Sequence, residues 1–131
     1  MINRRNYVRY IVGGKVSIET EGDTPKTMVG QLLDLSSAGW GAFFKESIDV
    51  NTIIQFDLSA NFLEEHLKGK GKIIHVTQQR ISGSKGFRIG VEFIEADKDT
   101  VSRLLNEKQR IIRQEQVRVI EAEKKSSNQK L

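Results

Sequence analysis

Between residues 15 and 93, apolar and polar positions alternate in six short runs; after that the period changes. Lys15 to Glu21 places Val16 and Ile18 on one face and Ser17 and Glu19 on the other, the signature of a half-buried strand. Gly22 to Pro25 reads as a turn, and residues 27–34 as a second strand carrying Val29, Leu32 and Leu33. Trp40 to Lys45 predicts a third strand. Residues 52–58 predict a fourth, with Ile54, Phe56 and Leu58 facing one way and Gln55 and Asp57 the other. Lys72 to Gln78 and Phe87 to Phe93 complete the set. In the last, Phe87, Ile89, Val91 and Phe93 share one face, and Arg88, Gly90 and Glu92 the other. Asn61 to Leu67 fits either a helical turn or two or a loop over one end of the sheet. Gly69 and Gly71 then restart the extended chain.

From Ala96 onward, apolar residues fall at steps of three and four: Val101, Leu104, Leu105, Ile111, Ile112 and Val119. Asp97 or Asp99 can cap the start, and no Gly or Pro interrupts residues 97–125. A helix of about 25 residues would reach roughly 38 Å. Six strands and one helix predict an all-β fold, a six-stranded antiparallel barrel with a long C-terminal helix. Closing the barrel removes the edges an open sheet would expose. The expected division is an arm over residues 1–13 ended by a Gly13-Gly14 turn, a barrel over 14–96, a helix over 97–125 and a polar tail over 126–131. Phe43, Phe56, Phe87, Ile89, Val91 and Phe93 are the expected core. Trp40 is expected under the arm or against the helix.

The 131 residues suit one domain; 37% are hydrophobic and 29% charged, with a formal charge of +4. No run approaches the ~18 apolar residues of a membrane span, and the apolar stretch after the basic N-terminus is too short for a signal peptide. The expected compartment is the cytoplasm. The absence of cysteine excludes disulfides and thiolate metal sites. His66 and His75 show no metal-ligand spacing and read as ordinary surface or strand residues. No nucleophile, base and orienting group can be assembled, so the expectation is a non-enzymatic protein without cofactor.

Charge is unevenly placed. Residues 1–15 hold Arg4, Arg5, Arg9 and Lys15 and no acid, whereas residues 16–71 are net acidic. The modest overall charge, and aromatics that follow the core face, argue against a nucleic-acid partner. Arginine pairs bidentately with phosphate and stacks on purines, so the arm fits either a clamp on a small anion or a solvated basic tail. Asp34-Leu35-Ser36-Ser37-Ala38-Gly39 lies between two predicted strands. It fits either a polar ligand contact or an ordinary Asx/Ser turn.

Taken together, Arg5-x-x-x-Arg9 followed by Asp34-x-Ser36-x-x-Gly39 resembles the signature of the PilZ domain. Trp40-Gly41-Ala42-Phe43, Gly71-Lys72-Ile73-Ile74 and Gly86-Phe87-Arg88-Ile89-Gly90-Val91-Glu92-Phe93 are similar to its later strands, so the likeness spans about residues 3–112. The resemblance implies a split barrel that binds cyclic di-GMP, a bacterial second messenger, and signals through an unidentified effector protein. It implies Arg5 and Arg9 on the phosphates and guanine, Asp34 and Ser36 on a guanine edge and nearby phosphate or ribose, and Gly39 as the motif glycine. Arg4 implies room for a stacked ligand dimer. Arg88, on the polar face of the last strand, is a further ligand candidate. Ordering of residues 3–12 over the ligand would be the switch. The alternative is a PilZ-like adaptor that acts by protein contacts without binding nucleotide. Two apolar stripes on the helix add the expectation of a homodimer.

Overall fold

The computed structural model describes residues 9–62 and 65–129. Six strands form a closed antiparallel barrel: β1 (Tyr10–Thr20), β2 (Thr27–Leu35), β3 (Gly39–Phe44), β4 (Ile53–Ala60), β5 (His66–Ile81) and β6 (Ser84–Ala96). Around the barrel they run β1-β2-β3-β6-β5-β4, and β4 pairs back onto β1. Helix α1 (Lys98–Gln129) follows. Among the described residues no helix is long and apolar enough to cross a membrane.

Alternation sends one residue in two inward. Val16 and Ile18, Ile54 and Leu58, and Ile73, Ile89 and Val91 are all buried in one core. Trp40 belongs to this core together with Val101 and Leu104 of α1, and residues 1–8 of the expected arm lie outside the described residues. Trp40 meets Phe56 edge-on at 5.6 Å, and its indole N–H finds no partner among the described residues. Phe56, Ile89 and Val91 are core as expected, and Phe87 and Phe93 pack against it. Phe43 differs. It is buried, but it stands on the outer face with its register partners Gln31 and Arg88, its ring close to Gly86.

Four boundaries depart from expectation, the simplest being α1, which runs to Gln129 and not to residue 125. Gly13-Gly14 is not a turn. β1 begins at Tyr10, and the pair lies at a register shift between Ile11 and Gly14. The reason is close packing: a Cβ on Gly14 would fall 2.1 Å from the Ser59 carbonyl oxygen. The described residues of 59–68 include no helix; β4 runs to Ala60 and β5 starts at His66. Gly69 therefore lies within β5, where a Cβ would meet the Glu95 carbonyl oxygen at 2.0 Å. β5 and β6 are also longer than their apolar runs. They continue to Ile81 and Ser84 around Ser82 and Gly83, both at positive φ, as a tight two-residue hairpin loop requires.

Asp97 supplies the helix cap. Its carboxylate accepts from the Asp99 amide at 3.0 Å and the Thr100 hydroxyl at 2.8 Å. The Thr100 bond, the largest contribution, holds this carboxyl below its ordinary range. The cap is therefore complete at neutral pH and weakens as pH falls through that lowered range. Val101 and Leu104 are buried against the barrel. Arg103 pairs with Glu65 at 2.7 Å, Lys108 lies over the Phe62 ring, and Gln109 Nε2 donates to the Tyr10 hydroxyl at 2.6 Å. The first three turns thus cover the barrel end where β1 begins.

Leu104 is fully buried at this junction. Leu104→Ala should lower unfolding free energy by about 2–5 kcal/mol in urea titration, with the barrel's far-ultraviolet spectrum retained at zero denaturant.

Candidate functional site

Antiparallel pairing sets directly opposed residues on the same face of a sheet. The register reads Ile11–Asp34, Asp34–Gly41, Gly41–Gly90 and Gly90–His75. These five residues, on β1, β2, β3, β6 and β5, therefore form one row across the outside of the barrel. A cleft of about 500 Å³ opens over this row, and its lining includes Arg9, Asp34, Ser36, Gly39, His75 and Arg88.

Asp34 is 8% exposed, unusual for a carboxylate, and it is paired: the Arg88 guanidinium donates to its Oδ2. The other oxygen, Oδ1, leans over Gly41, where a Cβ would come within 2.8 Å of it. Two shifts in pairing shape the neighbourhood, one between Leu32 and Asp34, the other between Ile73 and His75. The first puts Asp34 on the outer face although Leu32 and Leu35 point inward. The second turns both Ile74 and His75 outward; Ile74 is 46% exposed.

Ser36 shapes the turn. Its amide donates to the Gly39 carbonyl at 2.9 Å, and its hydroxyl oxygen accepts from the Ala38 and Gly39 amides at 3.2 and 3.3 Å. The Phe93 amide holds the Ala38 carbonyl at 2.8 Å, tying the turn to β6. Gly39 is required for close approach, not for an unusual φ. A Cβ there would lie 1.9 Å from the Val91 carbonyl oxygen.

Five of the seven sequence candidates, Arg9, Asp34, Ser36, Gly39 and Arg88, thus border one cleft. Arg4 and Arg5 lie outside the described residues. His75, read from sequence as an ordinary strand residue, also lines the cleft, with its ring hydrogen-bonded to the Thr77 hydroxyl. Its signal was the pair of apolar residues before it, Ile73-Ile74, which breaks strict alternation. His66 sits elsewhere, bonded to Asp57 at 2.7 Å. The cleft combines cations, a buried carboxylate with one oxygen unpaired among the described residues, and a floor of glycine. It offers partners to an anion, to a hydrogen-bond donor edge and to a flat ring.

A family model described as "PilZ domain" matches residues 3–112. The chain is similar in structure to "PilZ domain with c-di-GMP of YcgR from Escherichia coli", with a TM-score of 0.66 and 15% identity over 86% of this chain and 97% of that one. YcgR in complex with c-di-GMP from Escherichia coli gives a TM-score of 0.72 and 17% identity over 90% of this chain and 51% of that one. The K. pneumonia MrkH–c-di-GMP complex gives 0.58 and 14%, over 95% and 57%. The chain thus spans only about half the length of these last two proteins. No curated protein matches the chain by sequence.

Gly39→Ala tests the close packing of the turn on β6. Pushing β3 from β6 should cost about 1–3 kcal/mol, read as a lower urea midpoint at unchanged slope.

Proposed function

The chain belongs to the PilZ domain family, and on that premise we propose that it is a non-enzymatic receptor for cyclic di-GMP, acting in the cytoplasm through a protein partner. One observation carries the reading: Arg9, Asp34, Ser36, Gly39 and Arg88, far apart in sequence, border a single cleft. The YcgR and MrkH structures that share this fold hold c-di-GMP, which supports the same ligand class here.

The ligand's chemistry suits the residues. Cyclic di-GMP presents two phosphates and two guanines. Arg5 and Arg9 would clamp phosphate and stack on guanine, as planar guanidinium forks do. Asp34 keeps one oxygen on Arg88 and has the other free to accept from a guanine N–H edge. Ser36 has its hydroxyl engaged by the turn, so its direct contact would be to a ribose or phosphate oxygen close above it. Arg4 would serve a second, stacked ligand.

Tyr10 to Val12 already form part of β1, so the segment that would order on binding is residues 3–9 rather than 3–12. Fixing each of these residues costs about 1–2 kcal/mol of backbone entropy, which charge-assisted contacts must exceed. Such coupled ordering can switch a surface for an effector. The long α1, which extends well beyond the turns that cover the barrel, would pair with a second copy.

Calorimetric titration with cyclic di-GMP should give a dissociation constant in the micromolar range or tighter. Arg5→Ala, Arg9→Ala and Asp34→Ala should each weaken it by about tenfold or more, a loss of ~1.4 kcal/mol. Unchanged affinity in all three would remove the assigned site; no binding by the parent chain would favour the adaptor that works by protein contacts alone. For the helix, sedimentation should show a dimer for the full chain and a monomer for a chain ending at residue 112. Equal monomeric masses would exclude this pairing.

A further inference from the structure

The row across the barrel carries side chains at its ends and almost none in its middle. Gly41 is overhung by the Asp34 carboxylate, but Gly90 is not. A Cβ placed on Gly90 would meet only His75 Cβ at 3.3 Å and Ile74 Cγ1 at 4.0 Å. Gly90 has an ordinary strand conformation, and main-chain crowding does not demand a glycine there. Gly39 and Gly69 differ, because a Cβ at either would strike a main-chain oxygen. A glycine in mid-strand weakens the strand unless something approaches the backbone closely.

The surroundings of Gly90 specify what approaches. On the β5 side, the bulge turns two consecutive residues outward, so Ile74 and His75 stand together as a wall of one apolar and one aromatic side chain. On the β2 side stands Asp34 with its free oxygen. From Asp34 to His75 the row crosses three strand spacings, about 14 Å between backbones. The ground between them is formed by two glycines, Gly41 beneath the Asp34 carboxylate and Gly90 open, with Arg88 and Glu92 flanking Gly90 along β6, Ile74 and His75 as a wall and Asp34 as an acceptor. Those are the needs of a planar base with donors on one edge.

We propose that Gly90, walled by Ile74 and His75, is the seat for one purine of the ligand, and that the absence of a side chain at residue 90 is a binding requirement rather than a folding one. The inference rests on the cyclic di-GMP reading above and adds to it the residues that hold a base ring. The base lies over the Gly90 backbone, its donor edge turned to Asp34 Oδ1 and its ring against His75 and Ile74. Arg9 borders the same cleft.

Gly90→Val separates the two explanations for this glycine. A β-branched residue favours the strand, and the Cβ needs only a few tenths of an ångström from His75, so the melting temperature should stay level or rise. Affinity for cyclic di-GMP in the full chain should fall by about tenfold or more, because the valine occupies the seat. His75→Ala should weaken binding roughly five- to hundredfold, the range of a lost base-stacking contact. A folded Gly90→Val protein that binds as tightly as the parent overturns the seat while leaving the receptor reading intact. Should Gly90→Val fail to fold, His75→Ala decides by the same criterion: parental affinity overturns the seat. A parent chain that binds no nucleotide removes both the receptor reading and the seat.

Discussion

Closure of the barrel is the constraint on which the rest depends. Once β4 pairs with β1 and β3 with β6, no strand can slide without breaking hydrogen bonds on both sides. The register is therefore fixed all the way round. That rigidity places Asp34, Gly41, His75 and Gly90, on four strands and up to 56 positions apart in sequence, in one line on the outer wall. The interior supplies the leverage: Val16, Ile54, Ile73 and Ile89 are fully buried, and a one-residue slip would turn them to solvent. The site is thus held in place by residues that never touch it.

Within that frame the local polar chemistry divides its tasks. Ser36 and Gly39 hold the β2–β3 turn against β6, Ser36 by hydrogen bonding and Gly39 by having no side chain. Arg88 balances the charge of Asp34, a carboxylate too buried to stand without a partner. The result is a carboxylate fixed in direction with one oxygen still available. A free side chain on a loop would offer the same group with far less definition.

Much of this was legible in the sequence. Strict alternation marked β4 and β6, and the change to three- and four-residue steps marked α1. Its cap proved to be Asp97, one of two candidates. Arg88 was legible because alternation placed it opposite the core face. The misses share one cause: bulges and close backbone approaches interrupt the period instead of following it. Gly13-Gly14 looks like a turn because the Ser59 carbonyl that demands a glycine lies 45 residues away. Gly69 misled in the same way, with Glu95 as the distant partner. His75 was passed over because the bulge at Ile74 shifts the phase of β5, so counting by twos from Ile73 puts His75 on the inner face. The β5–β6 loop carried a readable sign, Ser82-Gly83, inside a stretch too polar to read as strand.

Arg9 and Tyr10 are joined by a single stiff peptide plane, yet they face different parts of the molecule. Arg9 borders the cleft, while the Tyr10 hydroxyl is held by Gln109, about a third of the way along α1. The start of β1 is therefore also a mooring point of the helix. Tyr10, packed against the core and bonded to Gln109, thus ties the residue next to the cleft directly to the helix.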